Sequence, residues 1–471
     1  MRPLPLLLAA ALVAAPAARA QAPDERFVGT WEGTLQTPGQ ALRLGLTVRR
    51  EAGGALAGTF TSIDQGGARV PATLAVRGDT LVAAMEGAGA TFTGVLARDS
   101  LAGRWAQGAG SLPLTMGRVA ALAAATPPPS RPQDPAPPFP YRTEEVEIVS
   151  TGGVRLSGTL TLPAGDGPFP AAVLVTGSGP QDRDETLLGH RPFRVLADHL
   201  ARRGIATLRY DDRGTARSTG DFAAATSADF ADDAEAAVRV LRARAGVRRD
   251  AVGIVGHSEG GLVAPIVAAR SRDVAFAVLL AGPGIPGDSI LLLQQRLIAT
   301  AQGAPSLMVD RMVATNRRLF AAVRGARDSA DAAARLAVAE GEVTAELPEA
   351  QRAAARAQLA AANRQLLGPW MRHFVAYDPR PALRRTRVPV LALNGALDLQ
   401  VPPRENLDAI GAALREGGNR DVTLAELPQL NHLFQTARTG APSEYAAIAE
   451  TFAPAALERV STWISERFGK K

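Results

Sequence analysis

Over residues 27–116 the apolar positions recur with a period of two: Leu42, Leu44, Leu46 and Val48 alternate with Arg43, Gly45, Thr47 and Arg49. Similar short runs surround Phe60, Val76, Phe92 and Trp105, and turn signals separate them at Gly53-Gly54, Gly66-Gly67, Gly78-Asp79 and Asp99-Ser100. Alternation turns one face of each strand to a core and the other to water, so residues 27–118 are predicted to form a small antiparallel all-β barrel or sandwich. Eight prolines then fall within residues 126–140. Proline lacks the N–H that helices and central strands require, so residues 121–140 read as an extended, semi-rigid linker.

After Tyr141 the period changes. Residues 146–148 and 156–162 predict an antiparallel start, and the unbroken apolar run at 171–176 predicts a strand buried on both faces. Further strands are expected at 206–210, 252–255, 275–280, 388–393 and 422–427, with helices at 193–203, 228–244 and 261–270. This alternation makes residues 141–471 an α/β domain with a doubly wound, mostly parallel sheet and right-handed crossovers. Residues 285–381 interrupt it with an Ala-, Leu- and Arg-rich stretch of helical spacing, read as an inserted helical unit. Leu291, Leu292, Leu297, Met308, Met312 and Leu319 are expected to line its apolar faces.

Composition narrows the chemistry. The 471 residues include no cysteine, which excludes disulfides, thiolate zinc sites, iron–sulfur clusters and a cysteine nucleophile. Five histidines leave little room for imidazole-rich metal sites. The net charge of +6 is mild, and the arginines are scattered among acidic residues, so no nucleic-acid partner is expected. Arg2, the apolar run at 4–15 and Ala18-Arg19-Ala20 have the layout of a cleavable signal peptide spanning 1–20. A periplasmic or secreted protein without stable membrane insertion is therefore expected. The β module carries no histidine and only isolated acids, which suits a packing or dimerisation role and leaves a homodimer as one expectation.

Gly256-His257-Ser258-Glu259-Gly260 fits G-x-S-x-G directly after a β-branched run and before a predicted helix. In that setting the serine sits on a sharp strand-to-helix turn, the flanking glycines remove clashing side chains, and Ser258 is the candidate nucleophile. A serine hydroxyl needs a base, and histidine is the side chain that takes and returns a proton near neutrality. His257 adjoins the nucleophile and should point away from it, His199 lies in a predicted helix, His190 in a loop and His373 in the insert. His432 follows the last predicted strand and is the candidate base. Asp398, after the preceding strand, completes the order Ser…Asp…His, with Asp408 an outside alternative within the next helix. The backbone N–H groups of Glu259, at a helix N-terminus, and of Ser178, in Thr176-Gly177-Ser178-Gly179-Pro180, are the candidate oxyanion donors.

With Gly177-Ser178-Gly179-Pro180-Gln181-Asp182-Arg183-Asp184, Tyr210-Asp211-Asp212-Arg213-Gly214, the Gly256 elbow, Asn394 to Asp398 and Asn431-His432, the chain resembles the α/β-hydrolase superfamily. Within it, the resemblance is to bacterial secreted esterases and to serine-aminopeptidase-like or prolyl-oligopeptidase-like hydrolases. It implies a Ser258–His432–Asp398 triad, an oxyanion hole at Ser178 and Glu259, and a helical cap at about 285–381. Thr176 stands where the common form of the first oxyanion loop has a histidine. Asp211, Asp212 and Arg213 are expected to form an internal ion pair. The expected activity is ester hydrolysis through an acyl-enzyme, on a small-molecule ester or short peptide, with no cofactor and no metal. A serine aminopeptidase or dipeptidyl-peptidase-like enzyme is the alternative, with Glu259, Asp182 and Asp184 as contributors to an amine-binding carboxylate pocket; a noncatalytic binding protein is the second.

Overall fold

Strict alternation closes the first unit on itself. The computed structural model describes residues 23–37, 40–64, 67–107, 110–124 and 131–469. The expected leader at 1–20 and residues 125–130 of the proline-rich stretch lie outside them. Two units divide the chain, Met1–Pro127 and Pro128–Lys471. In the first, β1 (Gly29–Thr37), β2 (Gln40–Arg50), β3 (Leu56–Ser62), β4 (Ala68–Arg77), β5 (Thr80–Met85), β6 (Ala90–Ala97), β7 (Ser100–Gln107) and β8 (Gly110–Val119) form a closed antiparallel barrel. The ladder from Thr30↔Val119 to Gly33↔Met116 joins β1 to β8, which decides for a barrel over a sandwich and leaves no edge strand to be protected. Trp31, Leu46, Leu81, Phe92 and Leu101 fill its core without solvent exposure. The Trp31 indole N–H donates to the Phe27 carbonyl at 3.0 Å, so the one polar atom of that ring is satisfied.

The second unit is the expected α/β domain. Its strands are β9 (Arg142–Val149), β10 (Arg155–Leu162), β11 (Phe169–Val175), β12 (Ala206–Tyr210), β13 (Val247–His257), β14 (Ala277–Leu280), β15 (Val390–Gly395) and β16 (Val422–Leu427). They order as β16-β15-β14-β13-β11-β12-β10-β9. β9 and β10 pair antiparallel, as does β10 with β12, and the rest are parallel. The crossovers are α1 (Pro192–Arg202), α2 (Ser227–Ala243) and α3 (Glu259–Ala268). The insert holds α4 (Gly287–Ala301), α5 (Ser306–Arg324), α6 (Ser329–Ala345), α7 (Glu349–Ala362), α8 (Pro369–Ala376) and α9 (Arg380–Arg385), and α10 (Pro403–Glu416) and α11 (Pro454–Phe468) follow. Successive strand residues feed opposite faces. Val173, Ile254 and Leu279 meet Ala234, Val238 and Val263, whereas Leu174, Val255 and Val278 meet Leu196, Leu200 and Trp463.

The insert has its own core of Leu319, Phe320, Val323, Leu336, Leu366 and Val375, with Leu291 and Leu292 against it. Met308 is a correction: it is 63% exposed, and the buried positions of that helix are Val309, Val313, Leu319, Phe320 and Val323. The apolar stripe of α5 runs one residue later than the methionine implied. No helix among the described residues is long and apolar enough to cross a membrane.

Candidate active site

β13 passes into α3 through one residue, Ser258, at φ 51° and ψ −114°. A β-carbon at Gly256 would sit 2.0 Å from the Gly260 carbonyl oxygen, and one at Gly260 would sit 2.1 Å from that of Val175. Both contacts are with backbone, so only glycine fits and the turn is imposed by its surroundings. The Ser258 N–H donates to the Leu280 carbonyl at 2.8 Å, tying the turn to the neighbouring strand end.

Asp398 follows β15 and His432 follows β16, so with Ser258 after β13 all three stand at the carboxyl end of the parallel strands. Both partners are buried, and His432 Nδ1 lies 2.8 Å from Asp398 Oδ2. The other carboxylate oxygen accepts the N–H groups of Gln400 at 2.8 Å and Val401 at 2.9 Å, which fixes the plane of the acid. Asn394 donates to the Val401 carbonyl at 2.7 Å and closes the same turn. Asn431 accepts the N–H groups of Leu433 and Gln435 through Oδ1, holding the loop around His432. The ring centroids of His432 and His257 are 4.9 Å apart, which brings residue 432 beside the chain neighbour of Ser258. Asp408 is exposed on α10 and belongs to no such arrangement.

The loop after β11 comes equally close, since a β-carbon at Gly177 would lie 3.3 Å from Cβ of Ser258. Gly177 N–H donates to Glu185 Oε1 at 2.7 Å. The Ser178 N–H has no protein acceptor among the described residues. Glu259 N–H opens α3, where no carbonyl lies one turn back to receive it. Glu259 itself is buried: Oε1 accepts from Ser227 Oγ at 2.5 Å and from the Trp370 indole at 2.8 Å. Burial pushes its carboxyl above the ordinary value, and those two hydrogen bonds only partly oppose the rise. Trp370 lies on α8 of the insert and Leu262, Ile290, Phe374 and Val401 cluster nearby, so the inserted helices pack onto the elbow.

The remaining sequence candidates go elsewhere. Asp182 accepts the N–H groups of Asp184 and Thr186, and Asp184 is paired with the buried Arg209. With Glu259 engaged by Ser227 and Trp370, the three carboxylates do not assemble into one amine-binding pocket. Asp211 and Arg213 are not paired with each other. Asp211 binds Arg183 at 2.8 Å and Arg213 binds Asp233 at 2.7 Å, while Asp212 accepts from Thr176 Oγ1 and the Gln181 N–H. His190 is buried against Thr451 and Tyr445, and His199 meets Ser461 Oγ at 3.0 Å. Glu185 and Trp370 carry no signal in the sequence; only their contacts identify them.

A family model described as "Serine aminopeptidase, S33" (Hydrolase_4) matches residues 191–436, over half the chain and containing Ser258, Asp398 and His432. The chain belongs to the S33 serine aminopeptidase family. This S33 member is 37% identical over 152 residues to esterase EstD of Thermotoga maritima, covering 32% of the chain and 35% of EstD. It is 27% identical over 187 residues to the uncharacterized protein YfhR of Escherichia coli K12, covering 36% of the chain and 63% of YfhR. The chain thus spans about a third of EstD and under two thirds of YfhR. Among solved structures, esterase Pf2001 of Pyrococcus furiosus aligns at 16% identity and TM-score 0.40, over 70% of this chain and 94% of its own.

Proposed function

We propose that the protein is a serine hydrolase that cleaves carboxylic esters through an acyl-enzyme formed on Ser258. The observation that carries this reading is the buried 2.8 Å contact of His432 Nδ1 with Asp398 Oδ2, beside a serine on a strained strand-to-helix turn. Asp398 fixes the tautomer with hydrogen on Nδ1, which leaves the His432 Nε2 lone pair as base. His432 takes the Ser258 proton as Oγ bonds to the carbonyl carbon, and the N–H groups of Ser178 and Glu259 receive the developing oxyanion. The carbon–oxygen bond to the alcohol then breaks, and His432 returns the proton to the leaving oxygen. Water repeats the sequence on the acyl-enzyme and releases the acid. The leader at residues 1–20 supports export of the enzyme.

The likeness to esterase EstD supports an ester as substrate. The description of the family model favours a peptidase with the same residues as the second reading. Hydrolysis of p-nitrophenyl esters and of aminoacyl p-nitroanilides by the full chain separates the two. Ser258→Ala is expected to abolish turnover and fluorophosphonate labelling; a Ser258→Ala protein with full ester turnover refutes the nucleophile.

A further inference from the structure

His257 and Glu185 are buried, and the mechanism above uses neither. His257 Nδ1 lies 2.8 Å from Glu185 Oε1, and His257 Nε2 lies 2.9 Å from the carbonyl oxygen of His432. The same Glu185 oxygen accepts the Gly177 N–H at 2.7 Å. A chain of buried contacts therefore runs from the first oxyanion loop through two side chains to the main chain of His432. Glu185 reaches it from a left-handed backbone conformation, φ 54°, which a non-glycine residue holds only where its surroundings impose it. A carboxylate faces one ring nitrogen and a carbonyl oxygen the other, and neither a carboxylate nor a carbonyl can donate. The ring satisfies both only by donating from both nitrogens.

We propose that Glu185 and the doubly protonated ring of His257 form one positioning unit that fixes the oxyanion loop relative to His432. The inference rests on the serine-hydrolase reading and adds to it two residues that touch no substrate. Burial is the largest single influence and works against the charged ring, but the charge and hydrogen bond of Glu185, the His432 carbonyl and Asp398 together outweigh it, and the His257 pKa is raised overall. Charged or titratable groups acting on the ring are Glu185, His432 and Asp398. The unit contributes geometry: Gly177 precedes the proposed donor Ser178, and the His432 carbonyl belongs to the residue that moves the proton. A displacement of about 1 Å at either place costs about 100-fold in rate without a comparable loss of binding.

The test uses the full chain and a soluble p-nitrophenyl ester. Glu185→Ala and His257→Ala are each expected to lower kcat by about 10- to 100-fold with KM within about threefold. Because the residues act as one unit, the double variant should lose no more than the worse single. Glu185→Gln keeps an acceptor for Gly177 N–H but removes the charge that holds the second ring proton, so its kcat should fall between wild type and Glu185→Ala. Ring 15N shifts of the wild-type protein, which has five histidines, should place both nitrogens of His257 in the protonated range at pH 7, a readout that needs no variant to fold. A neutral His257 ring, additive losses in the double variant, or kcat within twofold of wild type in folded Ala variants would overturn the proposal. If those results came with an inactive Ser258→Ala, the positioning unit alone would fail; full turnover by Ser258→Ala would fail the reading beneath it.

Discussion

Replacing Asp398 with asparagine tests the proposed mechanism at the atom that fixes the tautomer. The outer carboxylate oxygen accepts two backbone N–H groups, from Gln400 and Val401, at 2.8 and 2.9 Å. In Asp398→Asn the amide oxygen must keep that place, because an NH2 group there would face two donors and leave both unpaired. Each buried unpaired donor costs about 1–3 kcal/mol, so the opposite flip is disfavoured by about 2–6 kcal/mol. The NH2 group therefore points at His432 Nδ1, 2.8 Å away in the native contact, and forces that nitrogen to accept. Hydrogen moves to Nε2, and the base toward Ser258 is gone. At about 1.4 kcal/mol per tenfold, the productive arrangement survives in about one molecule in 30 to one in 10⁴. Loss of the carboxylate charge beside the forming imidazolium adds to this, so kcat for a p-nitrophenyl ester should fall about 10⁴-fold. KM should change little and the melting temperature should stay near wild type, since side-chain volume is conserved. A folded Asp398→Asn protein with kcat within tenfold of wild type would refute the tautomer argument and the place of Asp398 in the triad.

Other expectations follow from single contacts. Gly260→Ala places a methyl group 2.1 Å from the Val175 carbonyl oxygen, with only backbone able to yield, so it should lower the denaturation midpoint by the equivalent of about 3 kcal/mol or more; an unchanged midpoint contradicts the close approach. Glu259 has a folded pKa raised above its ordinary 4.5 by burial, so its stabilising contribution is full below that pH and is lost as pH rises through the folded value. Glu259→Gln should therefore gain melting temperature relative to wild type as pH increases from about 4.5, and a flat difference across pH 4 to 8 rules that out. Trp31→Ala empties the centre of the barrel and unpairs the Phe27 carbonyl, at a cost of about 3–5 kcal/mol to that unit by denaturant titration; loss below about 1 kcal/mol would mean the barrel core does not depend on it.

Features set by near neighbours in the chain were legible before any coordinates. The glycines at 256 and 260 announce a turn into which no β-carbon fits, and the period of two in the barrel follows directly from the pleat. The phase of α5 was not legible, because apolar residues at 307, 308, 309, 312 and 313 offer two stripes one residue apart, and only burial in the assembled insert selects Val309 and Val313. Carboxylates were harder still. Asp184 and Glu259 look equally available in the sequence, and Asp211 reads as part of an ion pair with its near neighbour Arg213, yet the three are committed to partners 25, 111 and 28 residues away: Arg209, Trp370 and Arg183. Burying a charge without a partner is costly, so a carboxylate in the interior is defined by what it pairs with, and no local pattern carries that information. Glu185 shows the consequence for function. It lies 72 residues before His257 and meets it only because its loop folds back through a left-handed turn onto the end of β13, so a residue that links the oxyanion loop to His432 is visible solely in the assembled edge of the sheet.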